Sequence, residues 1–340
     1  MKIIQLKGFR DKLENLKKMV IIGHRSPDGD AIGSTLGLKL YLEKLNIEAH
    51  VIVPNEHPDF LKWLPHNEEI NIYENHTEHC DKLLDDAEMV FTLDFNDLNR
   101  VGEGFDEKLK NLQVEFTLID HHQEPKDFAE YQFTDDEKCS TCELVYDLIK
   151  YYDDADKIDA SIATNLYLGI MTDTGSFKYA STTADTHRAV ADLIDHGAVN
   201  SKIHKKTFDA SSVNRLQLLG VALSNLEKIE GLKVAFIHLS RQDLIHSGFK
   251  KGDTDGFVNY ALSIKDVHMA AIFIEDRYED YIKLSLRSKN DFDVNQFARK
   301  HFNGGGHINA AGGKFDRSLD EAISYFKDTL TQYPELKCKS

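Results

Sequence analysis

Met19-Val20-Ile21-Ile22-Gly23-His24-Arg25-Ser26-Pro27-Asp28-Gly29-Asp30-Ala31 opens on an apolar run, breaks at Pro27 and Gly29, and leads into apolar residues at helical spacing from Ala31 to Leu45. That order predicts a buried strand, a tight turn and a helix. Taken singly, Asp28 or Asp30 reads as a helix N-cap and His24 as a core histidine. Together, His24, Asp28 and Asp30 place three ligand-type side chains within one turn, and the functional reading is preferred.

The same rhythm recurs along the first half. Met19–His24, Ala49–Val53, Met89–Asp94 and Phe116–Asp120 read as strands, and His76–Leu84 and Ile158–Met171 as helices. The alternation predicts an α/β fold with a largely parallel sheet flanked by helices. In such sheets, loops from several strands converge at the carboxyl ends, which is where ligands bind. His24, Asp94 and the group Asp120-His121-His122 all fall at strand ends, and Asp173 follows an apolar helix within Thr172-Asp173-Thr174-Gly175. Burying an acid and two imidazoles at one strand end is costly unless they are paired or hold a metal.

Asp28, Asp30, Asp94 and Asp173 converging with His24 and His121 would repel one another without cations. Two divalent ions cancel four negative charges. Mixed imidazole and carboxylate donors suit manganese, iron, cobalt or zinc better than calcium, and a metal pair forms a clamp suited to in-line phosphoryl displacement.

The second half turns helical from Ser181 to Glu230 and then strand-rich. Gly231–Leu239, Val267–Ile274 and Tyr281–Arg287 read as strands and Val294–Phe302 as a helix. This predicts three segments: a catalytic domain over 1–195, a helical connector over 196–230 and a smaller mixed α/β domain over 231–340. Gly304-Gly305-Gly306-His307 follows the last helix, and the run is expected to precede a further helix, with positive φ angles and N–H groups aimed at an anion. His307 and Arg287 supply cationic contacts, Arg287 with the fork geometry that phosphate oxygens favour. Arg299 and Asn303 are weaker candidates.

Composition bounds the partners. The 340 residues carry a net charge of −16, which disfavours long duplex nucleic acid but leaves a small phosphorylated substrate open, since a local metal can hold its phosphate. No apolar run is long enough to cross a membrane, and no export signal is read at the start. Cys139 and Cys142 form a lone C-x-x-C pair without a second pair at finger spacing, so the cysteines are read as ordinary thiols of a reducing cytoplasm. Nothing in the sequence decides whether a homodimer forms.

The order H-x3-D-x-D, a strand-end Asp, Asp-His-His and T-D-T-G resembles the DHH phosphoesterase superfamily. Gly304 to Gly313 resembles the glycine-rich signature of its DHHA1 substrate domain. The resemblance covers nearly the whole chain and is nearest to the nanoRNase branch, which cuts short oligoribonucleotides and converts 3′-phosphoadenosine-5′-phosphate to AMP. It implies two bound metal ions, manganese first, in a cleft between the domains, with hydroxide attacking phosphorus in line. By that resemblance His24, Asp28 and Asp94 hold one metal. Asp30, Asp94, His121 and Asp173 hold the other, Asp94 bridging. Asp120 orients a neighbour and His122 faces the scissile phosphate. Arg287, Gly304, Gly305, Gly306 and His307 hold the far end of a short RNA or nucleotide bisphosphate. The alternatives are a phosphodiesterase for cyclic or linear dinucleotide messengers and a non-enzymatic nucleotide sensor.

Overall fold

The computed structural model describes residues 8–277, 279–289 and 291–338. Its strands and helices fall into two compact units, Met1–Ala210 and Ser211–Ser340. The expected connector over 196–230 is divided between them.

In the first unit β1 (Lys18–Ile22), β2 (Glu48–Val53), β3 (Ile70–Ile72), β4 (Met89–Leu93), β5 (Glu115–Asp120) and β6 (Tyr131–Thr134) form one sheet. Their order is β3-β2-β1-β4-β5-β6, and every neighbouring pair is parallel, as expected. Strand order reverses between β1 and β4, which makes the gap beyond their carboxyl ends the natural crevice of the sheet. β3 and β6 escaped the sequence reading: β3 has only three residues, and β6, Tyr131-Gln132-Phe133-Thr134, is a short edge strand with no long apolar run.

The helices of this unit are α1 (Phe9–Asn15), α2 (Gly29–Lys44), α3 (Thr77–Asp85), α4 (Phe105–Asn111), α5 (Thr141–Tyr151), α6 (Ala160–Asp173), α7 (Ala184–Asp195) and α8 (Asn200–Phe208). α2 is buried on every face from Gly29 to Leu42, as its sequence of small and apolar residues allows. It packs against α6 at glycines. A Cβ at Gly33 would stand 2.5 Å from the Asn165 carbonyl oxygen, and one at Gly169 would stand 2.8 Å from Asp30 Oδ1 and collide with Cys142 Sγ. Only glycine permits that approach, and it brings the start of α2, with Asp30, beside the end of α6, with Asp173.

The second unit contains α9 (Val213–Ser224), β7 (Leu226–Lys228), β8 (Val234–Leu239), α10 (Arg241–His246), α11 (Val258–Leu262), β9 (Met269–Glu275), β10 (Ile282–Ser288), α12 (Val294–His301), β11 (Gly305–His307), β12 (Ala310–Phe315) and α13 (Leu319–Leu330). Its sheet runs β11-β12-β10-β9-β8-β7, parallel at β8/β9 and antiparallel elsewhere. Phe236, Phe273, Phe297, Phe302 and Phe326 fill one face of the sheet, and Leu218 and Ala222 of α9 pack on the other with Ala235 and Ile237.

The glycine run corrects one expectation. It leads into a strand pair, not a helix. Gly305–His307 pairs with Ala310–Gly312, the Gly304 and Gly306 N–H groups are donated to the Ala298 carbonyl and Asn295 Oδ1, and of the three glycines only Gly306 has a positive φ, 149°. The glycines are there because strands come close: a Cβ at Gly304 would collide with the Gly312 carbonyl. Among the described residues no helix is long and apolar enough to cross a membrane.

Candidate metal centre

His24 lies two residues beyond β1. Its Nδ1 is 2.9 Å from the Arg25 carbonyl oxygen. A carbonyl only accepts, so Nδ1 carries a proton, and whenever the ring is neutral its lone pair is on Nε2. That nitrogen faces two carboxylates, Asp94 Oδ2 at 3.4 Å and Asp28 Oδ1 at 3.9 Å. His121, just past β5, repeats the pattern. Its Nδ1 is 3.3 Å from the Lys138 carbonyl, and Nε2 faces Asp173 at 3.4 Å, Asp94 at 3.5 Å and Asp30 at 3.8 Å. A lone pair turned toward carboxylate oxygens is a repulsive arrangement until a proton or a metal cation stands between them.

Each carboxylate reaches this place by a different local device. Asp28 caps α2, accepting from the Asp30 and Ala31 N–H groups at 3.0 and 3.1 Å. The capping role and the approach to His24 therefore coexist in one side chain. Asp30, 1% exposed, accepts from the Thr141 and Cys142 N–H groups at 2.6 and 2.9 Å, at the start of α5. Asp94 follows β4 with φ of 67°, a left-handed conformation that Asp tolerates better than most residues and that costs of order 1 kcal/mol. Asp173 closes α6.

The electrostatics are those of a crowded acidic site. Burial, followed by the charges of Asp94 and Asp173, pushes the Asp30 carboxyl well up. Burial likewise raises Asp173, to about 7, with help from Asp28 and Asp94 and against the pull of His121. For Asp94 burial also favours the neutral form, but hydrogen bonds from His121 and His24 outweigh it and hold the carboxyl well down. Burial opposes charge on both rings, yet the bond to Asp94 and the surrounding carboxylates raise His24 and His121. Without cations, protons do the neutralising.

Among the described residues of the first unit, three donor groups have ligand atoms within 4.8 Å of one another: His24, Asp28 and Asp94; Asp30, Asp94 and His121; and Asp94, Asp120 and His122. Asp94 is common to these three. In the third, His122 Nδ1 donates to Asp120 Oδ1 at 2.7 Å, while Asp120 Oδ2 is buried with no hydrogen-bond partner. The donors fit divalent cations of the imidazole-binding kind.

The sequence reading missed Thr141. Its hydroxyl donates to Asp94 Oδ1 at 3.1 Å. Ser140-Thr141-Cys142-Glu143 has the S-x-x-E form of a helix start, and that signal would have placed Thr141 at an N-terminus. Cys139 and Cys142 are both buried free thiols.

Arg287, Gly304, Gly305, Gly306 and His307 all lie in the second unit. Arg287 on β10 and His307 on β11 are both register partners of Ala310 on β12. Directly opposite residues share a sheet face, so the two cationic side chains belong to one face. Arg287 Nε is buried without a hydrogen-bond partner among the described residues. Asn295, also missed, accepts from Arg299 Nε at 3.0 Å as well as from Gly306, which gives Arg299 a structural partner.

Fold and donors together define a parallel α/β domain with a cluster of metal-type ligands at its switch point, followed by a mixed-sheet domain. The chain matches the DHH family, N-terminal domain, over residues 18–170 and the DHHA1 domain over residues 219–332. It is 30% identical over 321 residues to the bifunctional oligoribonuclease and PAP phosphatase NrnA of Thermus thermophilus, covering 92% of this chain and 90% of that one. It is 27% identical to the cyclic-di-AMP phosphodiesterase GdpP of Bacillus subtilis, over 96% of this chain but 50% of that longer one. The crystal structure of an exopolyphosphatase-related protein from Bacteroides fragilis superposes with a TM-score of 0.93 at 38% identity, covering 98% of this chain and 97% of that one. The chain belongs to the DHH family and carries a DHHA1 domain.

Proposed function

We propose that this protein is a metal-dependent phosphoric ester hydrolase that cleaves short oligoribonucleotides to mononucleotides and 3′-phosphoadenosine-5′-phosphate to AMP. The observation that carries the reading is the sharing of Asp94 between two three-donor groups, each with one histidine whose Nε2 faces carboxylates. The likeness to the oligoribonuclease and PAP phosphatase from Thermus thermophilus over nine-tenths of both chains supports the substrate class.

His24, Asp28 and Asp94 would hold one cation, and Asp30, Asp94, His121 and Asp173 the other, with Mn2+ the first metal to try. Bound there, the pair would supply an activated water and offset charge on the phosphoryl oxygens. The chain's own residues do the rest. Asp120 accepts the Nδ1 proton of His122 and so sets its tautomer, leaving Nε2 as the nitrogen that acts on the scissile phosphate. In the second unit Arg287 and His307 would grip the substrate's phosphate, Arg287 through a donor that has no acceptor among the described residues. Gly304, Gly305 and Gly306 would keep side chains out of the substrate's way. A net charge of −16 works against long polymers and favours substrates of a few nucleotides. We place the protein in the cytoplasm.

The test is mononucleotide release from an end-labelled ribodinucleotide beside phosphate release from 3′-phosphoadenosine-5′-phosphate, in manganese with an EDTA control. Activity on both substrates, lost in EDTA, is expected. Silence on both with metal bound would overturn the assignment. Hydrolysis of a cyclic dinucleotide instead would place the chain with the phosphodiesterase from Bacillus subtilis, which it matches over half that protein's length.

A further inference from the structure

Three of the proposed ligands are touched from behind by one short segment, Lys138 to Cys142. The Lys138 carbonyl faces Nδ1 of His121 at 3.3 Å, the Thr141 hydroxyl donates to Asp94 at 3.1 Å, and the Thr141 and Cys142 N–H groups donate to Asp30 at 2.6 and 2.9 Å. Cys139, Ser140, Thr141 and Cys142 are at most 2% exposed. The segment is a strap across the back of the centre, and its own position is set by a residue whose hydrogen bonds go to the strap and to α7.

That residue is Glu143, 1% exposed. Its Oε1 accepts from Lys138 Nζ at 3.0 Å, and its Oε2 accepts from Cys139 Sγ at 2.9 Å and Thr186 Oγ1 at 3.0 Å. Its N–H is donated to the Ser140 hydroxyl at 3.1 Å. Glu143 therefore holds the beginning of the strap by two side chains and its middle by the helix cap. Thr186 belongs to the Thr183 capping box that starts α7, so the lock ties the strap to a second helix. A buried carboxylate with every bond made is rigid, and losing one partner leaves an uncompensated polar group in a low-dielectric interior.

We propose that Glu143 and Thr141 are positioning residues: Glu143 locks the strap, and the strap, chiefly through Thr141, orients Asp94, Asp30 and His121 for metal binding. The inference rests on the phosphoesterase reading for its consequence in turnover, and on the donor cluster alone for its consequence in metal affinity. Removing the Thr141 donor frees the shared carboxylate to rotate away from one of its two donor groups. Weakening Glu143 does the same at one remove.

The experiment compares Thr141→Val, Thr141→Ser and Glu143→Gln with the full-length wild type. Mn2+ binding is measured by calorimetry, kcat and KM on the ribodinucleotide, and folding by thermal melting. Outer-shell changes of this kind cost about 10–100-fold. We expect Thr141→Val to weaken Mn2+ binding and lower kcat by about 10-fold with KM little changed, and Thr141→Ser to restore both. Glu143→Gln acts in the same direction, and its combination with Thr141→Val costs less than the product of the two, since both act through one strap. If Glu143→Gln does not fold, the Thr141 pair decides alone. Unchanged Mn2+ affinity in Thr141→Val overturns the inference while leaving the hydrolase reading intact. Weakened Mn2+ binding in a protein that hydrolyses neither substrate supports the inference and overturns the hydrolase reading. A wild type that binds no Mn2+ overturns both.

Discussion

In the first unit the inner polar groups of the site are buried and hold one another, with Asp28 at the exposed rim: Asp94 and Asp120 are 2% and 0% exposed, and His24 and His121 6% and 5%. In the second unit the groups proposed to hold substrate are of intermediate exposure, and Arg287 keeps a donor without an acceptor among the described residues. The contrast separates two ways of meeting an anion. In the proposed reading one unit concentrates negative charge that a bound cation would relieve, and would meet phosphate through that cation. The other would offer positive donors directly. The first arrangement is stiff, over-determined by hydrogen bonds and sensitive to each member. The second is built on strand register and tolerates more change.

The sharpest way to break the comparison is at Asp94. Asp94→Asn keeps the shape and removes the charge shared by the first unit's three donor groups, and turnover should fall by more than the roughly 100-fold upper range of outer-shell changes. Phosphate release in saturating Mn2+ measures it, and a variant keeping a tenth of wild-type activity would end Asp94's assignment as the shared ligand. In the second unit, Arg287→Ala should act mainly on KM, by about 30-fold, the worth of a charge-assisted hydrogen bond near 2 kcal/mol. Arg287→Lys should recover little of it because the fork is lost. A fall confined to kcat would contradict the substrate-holding role.

Stripping metal should separate the two units. Saturation at about 100 times Kd stabilises a site by about 2.7 kcal/mol, so EDTA should lower protection against hydrogen exchange in α2, α5 and α6 and leave β8, β9 and β10 unchanged. Equal loss in both would show that the cations are not confined to the first unit's donors.

The smallest effect is the pH dependence of metal loading. In the metal-free site His24 and His121 are raised above the ordinary histidine value and Asp173 sits at about 7. These groups hold protons near neutrality that a cation must displace, so Mn2+ affinity should rise with pH through that range and fall as pH drops. Calorimetry in buffers of different ionisation enthalpy reads the protons released, and binding at pH 7 without proton release would sink the prediction.

Much of this was legible in the residues. The apolar runs ending at His24, Asp94 and Asp120 marked three central strands of the first sheet, because parallel strands buried on both faces must be apolar throughout. β3, β6 and β12 were not legible. Ala310-Ala311-Gly312-Gly313 has none of the β-branched residues that mark a strand, and it pairs because its lack of side chains lets β10 and β11 approach on either side. The glycine run was misread for a related reason: a sequence of glycines signals close backbone approach without saying whether the neighbour is a ligand or another strand.

The sequence by itself determined the α/β alternation, the family and the residue types that can bind metal, since these depend on local periodicity and on chemistry carried by single side chains. Only the tertiary structure decided that Asp94 is the common member of the donor groups, that both histidines present Nε2 because their Nδ1 protons are given to the Arg25 and Lys138 carbonyls, and that Thr141 and Glu143 stand behind the site. Apart from the contact of His24 with its neighbour Arg25, those facts are distances between residues separated along the chain. The order β3-β2-β1-β4-β5-β6 and the glycine-lined approach of α2 to α6 create them.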